Sequence, residues 1–211
     1  MLGKRGVHRD SSGLFICIEG IDAVGKRTQS LVLRSWLSSK GLSIRMVSFP
    51  DYSTIIGREI RKFLDGARSY PPEVRAMLYA ANRWERKADL EDTLAKTDAV
   101  IVDRYTASNL AYGVSNGLPL EWLVNLEAGL PKPDLVLLFD APAAALVTRR
   151  SFNKDTYEKN LDLQERTRKE YLKLAEKFGW KVIDAARGRE ETSRAVASVV
   201  SKTFSERGRT V

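Results

Sequence analysis

Apolar runs of three to six residues alternate along the chain with longer segments in which apolar residues recur every three or four positions. The short runs are Leu14–Ile18, Ile44–Phe49, Ala99–Val102, Leu135–Phe139 and Lys181–Ile183, and they read as buried strands. The longer patterns predict helices over Lys26–Ser39, Thr54–Leu64, Pro72–Lys96, Pro142–Arg150, Tyr157–Phe178 and Glu190–Phe204. The first of these stops at Gly41, and Pro72 suits a helix start. Five strands alternating with helices predict an α/β fold: a five-stranded parallel sheet with helices on both faces. No linker or repeat divides residues 14–205, which read as a single domain between flexible ends at 1–13 and 206–211.

Ligands in such sheets bind at the carboxyl ends of the strands. There, after the first strand, the chain reads Glu19-Gly20-Ile21-Asp22-Ala23-Val24-Gly25-Lys26-Arg27-Thr28. Gly20 and Gly25 allow the backbone to turn its N–H groups toward phosphate oxygens, and Lys26 adds a point charge at a helix N-terminus. This is a P-loop in a strand–loop–helix context, with one departure. The hydroxyl expected after the lysine as a magnesium ligand is replaced by Arg27, and Thr28 follows one position late.

Three further segments carry chemistry. Val100-Ile101-Val102 runs into Asp103-Arg104, where a carboxylate suits magnesium, directly or through water, and a guanidinium grips phosphate. Tyr79-Ala80-Ala81-Asn82-Arg83 sets small residues beside an aromatic and an arginine, leaving room for a flat base; spacing alone equally describes a packed helix. Residues Arg149 to Glu158 form a basic connector of the kind that closes over a nucleotide, and equally an exposed loop between helices.

The 211 residues carry a net charge of +8, spread among acids without a basic stripe of interleaved aromatics, so a nucleic-acid face is not expected. The single cysteine, Cys17, excludes an intramolecular disulfide, and the single histidine, His8, lies in the N-terminal tail, which makes histidine-based catalysis or a histidine metal centre a poor candidate. No run is long enough to span a membrane and no secretory signal is present, so a cytoplasmic protein without membrane contact is expected.

Taken together, the segments resemble the thymidylate kinase family of P-loop nucleoside monophosphate kinases. The resemblance runs from about Phe15 to the last helix. It rests on the P-loop, Phe49-Pro50-Asp51, Ala81-Asn82-Arg83-Trp84-Glu85, Asp103-Arg104-Tyr105, Gly129-Leu130-Pro131-Lys132-Pro133-Asp134, and Gln164-Glu165-Arg166. It implies transfer of a phosphoryl group from ATP to dTMP with magnesium, by a homodimer. It also implies roles. Asp22 meets the deoxyribose hydroxyl, Tyr79 stacks on thymine, and Arg83 lies near the base edge and phosphate. Phe49 and Tyr157 join the acceptor site, and Ser108 and Asn109 lie at the base edge. Tyr112 crowds the ribose 2′ position, Asp103 and Arg104 serve the acceptor phosphate and metal, and Arg149 lies against adenine.

Three positions depart from that family. Arg27 either faces solvent or reaches ATP, leaving magnesium to water, the phosphates and Asp103. Ala23 stands where some members carry a catalytic arginine, which moves that role to the lid at about 149–157, with Arg150 ahead of Lys154. Tyr52 stands where many carry an arginine, which loosens the expectation of strict dTMP preference. Two alternatives follow: a deoxynucleoside monophosphate kinase that also accepts dUMP, and a nucleotide-binding regulator without catalysis.

Overall fold

The structure, a computed structural model, describes residues 13–149, 160–209 and 211. The first twelve residues, Arg150, Lys154 and Tyr157 lie outside the described residues. Five strands, β1 (Leu14–Glu19), β2 (Ile44–Ser48), β3 (Ala99–Asp103), β4 (Leu135–Asp140) and β5 (Lys181–Asp184), form one parallel sheet in the order β2-β3-β1-β4-β5. The described helices are α1 (Lys26–Ser39), α2 (Ile55–Leu64), α3 (Pro72–Glu85), α4 (Lys87–Lys96), α5 (Thr106–Ser115), α6 (Leu120–Leu126), α7 (Leu161–Phe178) and α8 (Arg189–Glu206).

β1 lies at the centre, and all six of its residues are buried. Its side chains divide as the pleat requires. Leu14, Ile16 and Ile18 enter the larger core with Leu37 of α1, Leu174 of α7 and Val200 of α8. Phe15 and Cys17 enter a smaller core with Leu90 of α4 and Tyr105. Burial on both faces explains why the central strands β1, β3 and β4 read as nearly unbroken apolar runs. The register sets Ile18 beside Asp103 and Glu19 beside Leu138, so the carboxyl ends of β1, β3 and β4 form one edge. Asp134, the last residue of the Gly-Leu-Pro-Lys-Pro-Asp segment, fixes that register. Its Oδ2 accepts from the Phe15 N–H at 2.8 Å, and its own N–H donates to the Phe15 carbonyl at 2.9 Å.

Four differences from the expected elements have physical causes. Pro72–Lys96 is two helices, broken at Arg86 (φ −103°, ψ 5°) although no Gly or Pro marks the break. Arg86 pairs there with Asp51 and Asp89, so contacts with the loop after β2 override local propensity. α5 and α6 escaped the apolar pattern because small residues form their contact: a Cβ on Gly113 would lie 2.6 Å from Leu123. The segment Ala143–Arg149 is a 3-10 helix rather than an α-helix. Finally, α8 continues to Glu206, Arg207 pairs with Asp134, Arg209 pairs with Asp98, and Val211 packs on the larger core. Residues expected to form a loose C-terminus are therefore tied to the sheet's start.

Candidate active site

Backbone geometry makes the loop after β1. Gly20 has φ +137°, and a Cβ there would sit 2.4 Å from the Phe139 carbonyl oxygen. Gly25, at φ +101°, precedes the first turn of α1. Ala23 takes a left-handed conformation at φ +62°, a position glycine fills more readily. Lys26 is buried and folds back across the loop, its Nζ donating to the Gly20 and Ile21 carbonyls at 3.1 and 2.8 Å. Burial, with Arg104 nearby, lowers its pKa to about 8, against the pull of Asp22, Asp103 and Glu19. Arg27 and Thr28 are exposed at the same cleft, whose far wall holds Arg187 and Arg189.

Asp103, at the end of β3, has a buried Oδ1 without a hydrogen-bond partner. Asp103 also lines the phosphate cleft, and a carboxylate there is a hard donor that suits magnesium. No group of three or more metal-binding side chains exists among the described residues.

Arg104 follows in a left-handed conformation (φ +64°) that turns its side chain back over the loop. Its guanidinium donates to the Gly20 carbonyl at 3.1 Å and to Ser108 Oγ at 3.3 Å, and pairs closely with Asp22. Asp22 also accepts from Tyr112 Oη at 3.1 Å and from Gln164 Nε2 at 2.7 Å, while its N–H donates to Gln164 Oε1 at 3.1 Å. Burial opposes its charge, yet Arg104, Lys26 and these hydrogen bonds hold its carboxyl below the usual range.

Beneath them lies Glu19, fully buried at the end of β1. Its Oε1 accepts from the Tyr105 and Ser108 N–H groups at 2.7 and 3.3 Å. Its Oε2 accepts from Ser108 Oγ and Tyr171 Oη at 2.6 and 2.9 Å. An anion at the start of α5 uses the unsatisfied N–H groups there. Glu19 thus ties the P-loop strand to the Arg104 turn and to α7.

The second cavity opens on the other side of Arg104 and Asp22, which line both. Phe49, Tyr79, Arg83, Asn109 and Tyr112 form its walls. Arg83 is 3% exposed and meets the carboxylate of Glu127 with two nitrogens, Nε at 2.9 Å. Asn109 Nδ2 donates to the same carboxylate at 2.6 Å and to the Ala76 carbonyl at 3.2 Å. This wall is rigid, cationic and partly aromatic. The two cavities share one guanidinium, Arg104. That is the geometry of group transfer between phosphates.

Relatives bear this out. A family model described as thymidylate kinase matches residues 18–196. The chain belongs to the thymidylate kinase family. A thymidylate kinase of Dictyostelium discoideum is 33% identical over 91% of this chain and 86% of its own length. A probable thymidylate kinase of Pyrococcus abyssi is 37% identical over 89% of this chain and 96% of its own. A solved Candida albicans thymidylate kinase, noted for broad substrate specificity, superposes with a TM-score of 0.82 at 25% identity over 95% of each chain. Members of the thymidylate kinase family are phosphotransferases that use ATP, so this chain is an enzyme of that kind.

Within this thymidylate kinase fold the expected residues separate by place. Asp22 to Thr28 and Asp103 line one cleft, with Gly20 and Ile21 beneath it as acceptors of Lys26; Phe49, Tyr79, Arg83, Ser108, Asn109 and Tyr112 line the other. Arg149 ends the 3-10 segment. The hydroxyl of Ser108 faces Glu19 and Arg104, and the amide nitrogen of Asn109 is already engaged by Glu127 and Ala76, so neither N–H nor O–H of this pair is left for a base edge. The Asn-Arg-Trp segment divides too. Asn82 is buried and clasps the loop after β2, accepting from the Asp51 N–H at 2.8 Å. Trp84 donates to the Leu126 carbonyl at 3.0 Å, and its ring fills the space above Gly129.

Sequence reading missed three contributors. Glu19 was visible only as the residue before the loop. Glu127 had no signal, because its two partners come from α3 and α5. Arg75 also lines the acceptor cavity, with Nη2 donating to Asn116 Oδ1 at 3.1 Å, and its helical spacing gave no hint of this.

Proposed function

We propose that the protein transfers the γ-phosphoryl group of ATP to dTMP, giving dTDP and ADP, in the supply of dTTP. The supporting observation is the pair of cavities that share Arg104 and Asp22. ATP occupies the P-loop cleft and dTMP the cavity lined by Tyr79 and Arg83. The acceptor phosphate oxygen is anionic at neutral pH, so no strong base is needed. Loop N–H groups and Lys26 hold the donor phosphates, and Arg104 holds the acceptor phosphate in line. Magnesium bound with the nucleotide would supply charge neutralisation on the phosphates, and Asp103, which lines the cleft, is the carboxylate that would hold it. Tyr79 stacks on thymine, Phe49 and Arg83 close the base end, and Asp22 with Tyr112 faces the sugar. Arg149 borders the adenine, and Arg150 and Tyr157 act from the lid. The enzyme works as a homodimer in the cytoplasm; no described helix is long and apolar enough to cross a membrane.

A coupled ADP-release assay with ATP and magnesium tests this reading. dTMP is expected to turn over fastest, and its ribose counterpart much more slowly. Comparable rates with dUMP and dCMP would replace dTMP kinase by a broader deoxynucleotide kinase. Tyr52 favours that reading because it lines the acceptor cavity at the position where the family resemblance implies an arginine. No turnover with any acceptor would leave a nucleotide-binding regulator.

A further inference from the structure

P-loops place a hydroxyl after the lysine to ligate magnesium. Here that position is Arg27, the second residue of α1. Its side chain is exposed and lines the nucleotide cleft. It makes no hydrogen bond or ion pair with any described residue. Two other guanidinium groups at the cleft are paired, Arg104 with Asp22 and Arg187 with Asp184 and Glu191, while Arg189 stands exposed on the far wall. Thr28 lies about 100° further round the helix, so its hydroxyl does not take the direction of residue 27. Among the described residues, position 27 therefore lacks a metal ligand and carries a cation without a counterion.

We propose that Arg27 binds the phosphate oxygens of the donor nucleotide directly, so that this chain holds ATP with little dependence on magnesium. The proposal rests on the kinase reading only in taking ATP as the donor. A guanidinium keeps its charge at every relevant pH, is weakly hydrated, and meets two phosphate oxygens at once. It supplies to the phosphates the positive charge that a hydroxyl would recruit by way of the metal. Magnesium remains available for Asp103 and the phosphates, but it no longer decides whether ATP stays bound.

Calorimetric titration of the full chain with ATP, in EDTA and in excess magnesium, tests this. Wild-type protein is expected to bind metal-free ATP within about threefold of its affinity for the magnesium complex. Arg27→Thr removes the cation and restores the hydroxyl. It is expected to bind metal-free ATP about tenfold more weakly, the size of one charge-assisted contact in an open cleft, and to regain affinity when magnesium is added. Arg27→Lys, a point charge without the fork, should fall between them. Two results would overturn the proposal: wild-type affinity that drops tenfold or more in EDTA, or Arg27→Thr matching wild type in EDTA. The wild-type comparison decides even if the variant fails to fold, and dTMP binding by each sample reports folding. Turnover of dTMP, measured separately, keeps the two readings apart. Normal turnover with a metal-dependent wild type overturns only the role of Arg27; absent turnover with metal-free ATP still bound overturns only the kinase.

Discussion

The two cavities that meet at Arg104 are built in opposite ways. The donor cleft is made largely of backbone: Gly20, Ala23 and Gly25 in left-handed or near-left-handed conformations, and a lysine resting on loop carbonyls. Its outer cations, Arg27 and Arg189, stand exposed. The acceptor cavity is made of side chains already committed to one another, Arg83 with Glu127 and Asn109, and Asp22 with Arg104, Tyr112 and Gln164. A triphosphate is recognised by charge alone, so amides and mobile cations suffice. A single nucleoside monophosphate must be told from its neighbours, and that needs walls fixed before the ligand arrives.

Arg104 is where the contrast can be broken most severely. It touches the P-loop through the Gly20 carbonyl and the acceptor side through Asp22 and the Tyr112 ring, 5.8 Å from its guanidinium carbon. Arg104→Ala should lower kcat by about a thousandfold or more, roughly 4 kcal/mol of transition-state stabilisation. KM should rise for both nucleotides in steady-state kinetics. A rise for dTMP alone would mean that the two sides are independent and that Arg104 belongs to only one of them.

Glu127 sharpens the comparison on the acceptor side. Removing it leaves the guanidinium of Arg83 buried without its counterion, which costs about 3 kcal/mol or more. Glu127→Ala should therefore shift the urea midpoint strongly and weaken dTMP binding, while ATP binding by the folded fraction is unchanged. A stability loss below about 1 kcal/mol, as for an exposed pair, would show that the wall is not held by this contact.

The same contrast explains what could be read from the sequence. Donor-side residues are contiguous, and glycine, lysine and an apolar strand leave a local signature from Phe15 to Thr28. The central strands β1, β3 and β4 were legible because burial on both faces makes them nearly unbroken apolar runs, and the edge strands β2 and β5 through shorter apolar cores such as Met46-Val47 and Val182-Ile183. Acceptor-side residues come from α3, α5, α6 and α7, and their partnerships are set by packing. Hence the residues around Tyr79 and Arg83 read equally as a base pocket or a packed helix until the resemblance was added, Glu127 was not found, and Asn82 and Trp84 hold loops in place. α5 was missed for a related reason: its small residues are chosen for close contact with Leu123, not for an apolar stripe.

On the donor side, Lys26 makes the difference visible as pH dependence. It ionises at about 8 in the folded protein and at 10.5 when unperturbed, so between these values the unfolded chain holds more protons. This group therefore adds stability as pH rises from about 8 toward 10.5. ATP binding runs the other way, because phosphate requires the charged amine. Affinity should fall by at most about tenfold from pH 8 to 9, with uptake of about half a proton per ATP at pH 8, read from titrations in buffers of different ionisation enthalpy. dTMP binding should show a weaker dependence. Equal dependence for both ligands would place Lys26 electrostatically in both cavities.

The smallest effect tests whether the sugar is judged by shape or by hydrogen bonding. Tyr112 Oη donates to Asp22 Oδ2 at 3.1 Å, but Asp22 keeps Arg104 and Gln164 as partners when that hydroxyl is removed. Tyr112→Phe should therefore cost about 1 kcal/mol or less in stability and in kcat/KM for dTMP. Its ring stays edge-on to Tyr171, with centroids 6.4 Å apart, so it still crowds the sugar. The preference for dTMP over its ribose counterpart should survive in Tyr112→Phe and relax in Tyr112→Ala. If both variants lost the preference equally, the discriminating group would be the hydroxyl acting through Asp22, and the acceptor cavity would read its ligand by hydrogen bonds rather than by a fixed wall.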